Sequence, residues 1–203
     1  MKPPRSLDNR YYVMRHGESE ANVAGIILSN PVVGIRRYGL TSRGRSQAET
    51  SAQALVGEPP TVVVSSDFLR AWETAEIAAR TFGVTTVDLA VELRERFFGA
   101  WDRLSSEHYQ GVWDLDAVNA DQTESGVESV VAVANRLSTL VNRLESEHAN
   151  QRILLVAHGD PLQILQTLFE GVPATAHRRM RNLEVAEIRP LFRTISETER
   201  ATG

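Results

Sequence analysis

Ile153-Leu154-Leu155-Val156-Ala157 is an unbroken apolar run, closed at once by His158-Gly159. With no polar alternation it reads as a strand hidden on both faces, the strongest strand signal in the chain. Tyr11-Tyr12-Val13-Met14 is a second run rich in strand formers, and it stops just as abruptly at Arg15-His16-Gly17. Residues 61–65 read as another buried strand, 85–89 as a short apolar stretch, and 183–188 as a last strand. Between these lie helical stretches at 44–55, 68–80 and 162–169. In the second of them Leu69, Trp72, Ala75 and Ala79 recur at three-to-four spacing. Residues 103–120 suggest one or two short helices. Ser125 and Glu128 fit a capping box that opens a long helix from about Gly126 to His148. The segment from Val23 to Tyr38 has Gly, Asn and Pro without periodicity and reads as a long loop, a length uncommon unless the loop is functional.

Strands alternating with helices predict an α/β fold, a three-layer α/β/α sandwich with a mostly parallel central sheet. No repeat or linker interrupts the chain, so one domain over 1–203 is expected, with 1–9 and about 196–203 as loose tails. Cysteine is absent, which removes disulfides and thiolate chemistry. A net charge of -4 gives no reason to expect nucleic acid or an acidic membrane as partner. No stretch is long and apolar enough to span a bilayer and no leader is visible, so a cytoplasmic protein is the expectation. The positive charge is nearly all arginine, Lys2 being the only lysine. Arginine holds phosphate and carboxylate in a bidentate grip that lysine cannot reproduce.

His16 and His158 each lie just past an apolar strand, and each is followed by glycine. In open α/β sheets ligands bind outside the carboxyl ends of strands, so both imidazoles could face one crevice. Glycine beside each ring, Gly17 and Gly159, would let backbone N–H groups approach an anion. Arg15 adjoins His16, and Arg70 falls in the first turn of the helix after another strand end, a setting that favours anions. Two unrelated loop histidines and a solvated arginine remain the alternative for each residue taken singly.

Arg15-His16-Gly17-Glu18-Ser19, with Asn22 after it, resembles the signature of the histidine phosphatase superfamily, which includes the cofactor-dependent phosphoglycerate mutases. The likeness continues through Leu40-Thr41, Gly44 and Gln47-Ala48, then Ser65 to Ala71 with Thr74 and Ala75. It runs on through Leu93-Arg94-Glu95 ahead of Phe98-Gly99 and Trp101, and ends with Val156-Ala157-His158-Gly159-Asp160. The resemblance implies a phosphoglycerate mutase-like fold and a phosphatase in which His16 attacks phosphorus and carries a phosphohistidine. Arg15, Arg70 and His158 would surround the phosphoryl oxygens, and Glu95 would give and take the proton. Ser19, Asn22, Gly159 and Asn182 would complete substrate binding. No metal and no cofactor are implied, and the expected partner is a small phosphorylated metabolite, with a homodimer as an open assembly.

Glu95 could also be part of a solvated turn, Glu92 to Arg96, and it takes the catalytic assignment only through the match. His108 and His148 read as solvated, and Trp101, Trp113 and Phe97 as core or pocket wall. Arg36-Arg37 and the run His177, Arg178, Arg179, Arg181 read either as rim charges for an anionic substrate or as solvated turns. Two features depart from the family pattern: Asp102 stands where glutamate commonly follows the tryptophan, and the loop from Val23 to Gly39 is longer than usual. A mutase is the first rival, but Phe98 to Asp102 runs on without an insertion and the tail after Ile195 is short and polar, so hydrolysis is the expectation. A phospho-ligand-binding module would have no need of His16 or Glu95. A metal site on His16, His158 and Glu95 conflicts with the flanking arginines, which would repel a cation.

Overall fold

In the computed structural model, which describes residues 7–191, five strands form one sheet. They are β1 (Arg10–Arg15), β2 (Val62–Ser65), β3 (Val87–Leu89), β4 (Arg152–Ala157) and β5 (Ile188–Leu191), in the order β3-β2-β4-β1-β5. The first four are parallel, and β5 runs antiparallel to β1 at the edge. The helices are α1 (Glu20–Val23), α2 (Pro31–Gly34), α3 (Ser42–Gln53), α4 (Leu69–Phe82), α5 (Tyr109–Val118), α6 (Val130–Glu147) and α7 (Gly159–Glu170).

β4 occupies the centre because its residues can be buried on both faces. Ile153, Leu155 and Ala157 pack with Tyr11 and Val13 against α6 and α7, through Leu137, Leu140, Leu162 and Phe169. Leu154 and Val156 turn the other way with Met14 and Val63, against Ala48 and Ala52 of α3 and Ala75 and Ala78 of α4. The period-two alternation of each strand thus feeds two cores, which gives the three layers. Trp72 shares the helical spacing of α4 yet lies on its outer face, 42% exposed. Among the described residues no helix is long and apolar enough to cross a membrane.

Four local expectations change. The long helix is capped by Ser129, whose Oγ accepts from Ala132 N at 3.1 Å, and not by a Ser125–Glu128 box. Ser125 sits at φ 57 in a tight turn, Glu124–Gly126, where the chain passes against Gly99, and the Glu128 carboxylate pairs with Arg136. The last strand begins at Ile188, because residues 184–187 form a turn with Ala186 at φ 60, its N–H shared by the Arg15 and His16 carbonyls. The long loop contains α2, capped by Asn30 with Pro31 in its first turn. At the end of the segment read as a tail, Asp8 N and Asn9 Nδ2 donate to the Glu145 carboxylate at 2.6 and 2.8 Å, and Leu7 packs on the core. Residues 1–6, and the tail expected at about 196–203, lie outside the described residues.

Candidate active site

β1, β4 and β2 end level, with Arg15 opposite Ala157 and Ser65 opposite Val156. His16, His158 and Ser66 are therefore the first residues off three adjacent strands, and Arg70 follows in the first turn of α4. The two imidazoles meet edge to face with centroids 5.2 Å apart, and Phe68 packs edge-on against His158.

His16 is held as a neutral ring in one tautomer. Nδ1 lies 2.8 Å from the Gly17 carbonyl oxygen, which can only accept, so Nδ1 carries the hydrogen. Nε2 accepts from Arg70 Nε at 3.0 Å and so keeps the lone pair. Burial first, then the positive charges of Arg70 and Arg15, hold its pKa well below 6.5. The ring is thus in its nucleophilic form at neutral pH.

Arg70 Nη2 donates to the Leu28 carbonyl at 3.0 Å and lies 3.7 Å from Glu95 Oε2. Arg15 Nη1 donates to the Leu183 carbonyl at 3.0 Å. Arg15 Nε and Arg70 Nη1 are buried and have no partner among the described residues. A buried donor left unpaired costs about 1–3 kcal/mol, and two of them on arginines lining one cavity suit an anion with several oxygens. Glu95 Oε1 accepts from Arg96 N at 3.0 Å, and Oε2 is 4.0 Å from His158 Nδ1. Burial lifts the Glu95 pKa to about 7, with Arg70 opposing and Asp160 adding to the rise. His158 Nε2 lies 3.0 Å from Ser66 Oγ, while its Nδ1 is buried without a partner among the described residues. Its pKa is also held well below 6.5, by burial and then by Arg70 and His16.

Ser19 and Asn22 form the capping box of α1, with Ser19 N and Oγ donating to Asn22 Oδ1 at 3.0 and 2.9 Å. That use of Oδ1 leaves Nδ2 as the Asn22 donor. A cavity of about 240 Å³ is lined by Arg15, His16, Ser19, Asn22, Arg70, Glu95, Gly159 and Asn182. His158 is wholly buried against His16. The residues expected from the sequence are thus brought together.

Several details differ from expectation. Gly17 is required by packing: its N–H donates to Thr74 Oγ1, and a Cβ there would overlap the Gly44 carbonyl oxygen. At Gly159 a Cβ would meet only the Arg15 guanidinium, at 3.8 Å, which keeps that backbone open to the cavity. Asp102 faces the long loop, its Oδ1 accepting from Ser29 N, Ser29 Oγ and Asn30 N at 2.8 to 2.9 Å. Glu92 pairs with Arg143, which leaves Glu95 as the carboxyl beside Arg70 and His158. Phe97 is 37% exposed, outside both core and pocket wall. His108 is exposed, as expected, and stacks on Trp101 with centroids 4.5 Å apart. Arg36 and Arg37 flank a different surface hollow, while Arg178 does reach the cavity.

Sequence reasoning missed the buried network behind Glu95. Arg96 is fully buried, grips Asp116 through two bonds of 2.6 and 2.8 Å, and reaches Asp160 at 3.3 Å. Asp160 in turn accepts from Trp113 Nε1 at 3.0 Å. The chain separation of Arg96, Asp116 and Asp160 leaves no local pattern to find; only charged residues inside apolar stretches hint at it.

The family model for the histidine phosphatase superfamily (branch 1) matches residues 11–193. The chain belongs to that superfamily. The expectations of a phosphoglycerate mutase-like fold and of a phosphoric monoester hydrolase accord with this membership. "Probable phosphoglycerate mutase GpmB" of Photorhabdus laumondii is 34% identical over 178 residues, 84% of this chain and 79% of that one. The adenosylcobalamin/alpha-ribazole phosphatase of Escherichia coli is 30% identical over 175 residues, 82% of each chain. Among solved structures, mycobacterial glucosyl-3-phosphoglycerate phosphatase complexed with VO3 superposes with a TM-score of 0.76 at 26% identity, covering 89% of this chain and 90% of that one.

Proposed function

We propose that this protein is a metal-independent phosphatase that hydrolyses a small phosphomonoester through a phosphohistidine on His16. The observation that supports the reading is the neutral His16 ring, its Nε2 lone pair beside Arg70, with buried unpaired donors on Arg15 and Arg70, two arginines that line the same cavity. In the first step the Nε2–P bond forms as the P–O bond to the leaving group breaks. The Glu95 carboxyl proton goes to the departing alkoxide. In the second step water attacks phosphorus, the P–N bond breaks, and the Glu95 carboxylate takes the proton from water. A pKa of about 7 lets one residue serve as acid and then as base. Arg15, Arg70 and an Nδ1–H of His158 meet the oxygens of the transferring group, with Ser66 free to give its proton to His158 Nε2. Gly159 N–H, at the start of α7, and the Asn22 amide are further donors.

The phosphotransferase alternative is suggested by the mutase-named relatives. Hydrolysis is favoured by the uninterrupted run from Phe98 through the short turn Gly99–Trp101 to Asp102, with no added segment to shut out water. The test is release of inorganic phosphate from p-nitrophenyl phosphate, with rapid-quench trapping of an acid-labile phosphoenzyme. A folded His16→Ala protein should lose both phosphoenzyme and turnover; activity within tenfold of wild type refutes the mechanism.

A further inference from the structure

The outer part of the same cavity bears on the leaving group, and this inference rests on the phosphatase reading above. Away from the histidines its lining includes Ala21, Ile26, Ser106, Tyr109, Trp113 and Asn182, none of them charged. Two charged residues complete it, Arg178 and Asp160, and both are already committed. The Arg178 guanidinium lies 3.5 Å from the centroid of the Trp113 ring, bonds Gln163 Oε1 through Nη1, and stands 3.5 Å from Asp160 Oδ1. The Trp113 ring also stacks on Tyr109, 5.1 Å away and 7° from parallel. Arg178, Trp113 and Tyr109 therefore form a fixed column in which the cation cannot swing out without losing its stacking and its carboxylate.

The charge account then closes locally. Arg178 and Arg96 face Asp160 and Asp116, two cations against two carboxylates. His177, 3.8 Å from Asp116, is fully buried, and burial lowers its pKa, so it adds no charge at neutral pH. Among the described lining residues the positive charge left over belongs to Arg15 and Arg70, whose Nε and Nη1 are buried without a partner there. Two cations suit one phosphate dianion while Glu95 is protonated. A second carboxylate or phosphate on the substrate would find no spare cation and would face Asp160.

We propose that the substrate is the monophosphate of an uncharged, hydroxylated alcohol, as in a sugar or nucleoside monophosphate, with no second anionic group. The hydrocarbon of such a leaving group would lie along Ala21, Ile26 and the aromatic column, and its hydroxyls would meet Ser106 and Asn182.

Matched pairs test the charge rule directly. Glycerol 3-phosphate against 3-phosphoglycerate, and glucitol 6-phosphate against 6-phosphogluconate, differ by one carboxylate in place of a terminal hydroxymethyl; adenosine 5′-monophosphate then separates nucleoside from sugar. The neutral member should have the higher kcat/KM by about ten- to a hundredfold. Calorimetric Kd values on the His16→Ala protein should show the same order, which reads the preference even if chemistry does not pass through His16. Asp160→Asn frees Arg178 and should narrow the ratio about tenfold, with 3-phosphoglycerate gaining on glycerol 3-phosphate. Equal or better binding and turnover of the carboxylates by wild type overturns the inference, as does an Asp160→Asn ratio that stays where it was. Failure of the phosphatase reading looks different: no phosphoenzyme and no phosphate from p-nitrophenyl phosphate.

Discussion

Glu95→Gln keeps the size and polarity of the side chain but can neither give nor take a proton, and the site's geometry makes it move activity and stability in opposite directions. The carboxyl is 9% exposed, and burial lifts its pKa from 4.5 to about 7 against the pull of Arg70 at 3.7 Å. Its folded pKa is therefore above the unfolded one, and the fold prefers the protonated form. That stability is fully present below about pH 4.5 and is lost as pH rises through about 7. The rise to about 7 corresponds to roughly 3 kcal/mol of penalty once the group is ionised. Glutamine escapes the penalty, so the variant should match wild type at pH 4.5 and exceed it at pH 8 by about 3 kcal/mol, a gain of several degrees in Tm. On an alkyl or sugar phosphate the variant should lose about 10²–10⁴-fold in phosphorylation of His16. An activated aryl phosphate needs little help in leaving, so its first step should suffer far less, and phosphoenzyme should accumulate as a burst. The assays are rapid-quench kinetics on both substrate types and melting curves at the two pH values. Equal losses on both substrates without a burst, or a variant less stable than wild type at pH 8, would refute the assignment of Glu95.

Removing the guanidinium of Arg96 by Arg96→Leu leaves buried Asp116 with only the Gln122 amide as donor and Asp160 with one fewer partner, so a loss of about 3–5 kcal/mol is expected in urea unfolding. Asp102→Ala strips the acceptor from Ser29 and Asn30, next to the Leu28 carbonyl that holds Arg70. It should cost about 1–3 kcal/mol of stability and raise KM more than it lowers kcat. Exhaustive EDTA treatment should leave the rate on p-nitrophenyl phosphate unchanged, since in the proposed mechanism Arg15 and Arg70 meet the phosphate charge; loss restored by a divalent ion would count against the mechanism.

Much of this protein is written in short segments that specify themselves. The unbroken apolar run of β4, the halt at His-Gly after β1 and β4, and the strand-helix alternation carry the α/β layers. They also place Arg15, His16 and His158 at strand ends and Arg70 in the first helical turn after another. Periodicity reports burial along one element, and strand-end chemistry needs no distant partner to be seen. Helix boundaries were less legible where a neighbour decides them: Ser125 and Glu128 spell a capping box, but the close approach of Gly99 turns the chain there and Ser129 takes the cap. The selection of Glu95 over Glu92 is likewise tertiary, since burial beside Arg70 raises one carboxyl while Arg143 pairs with the other. So are the inter-element network of Arg96, Asp116 and Asp160 and the column that ties up Arg178. Which charges remain free to meet a substrate depends on pairings between residues far apart in sequence, and only the folded chain sets those distances.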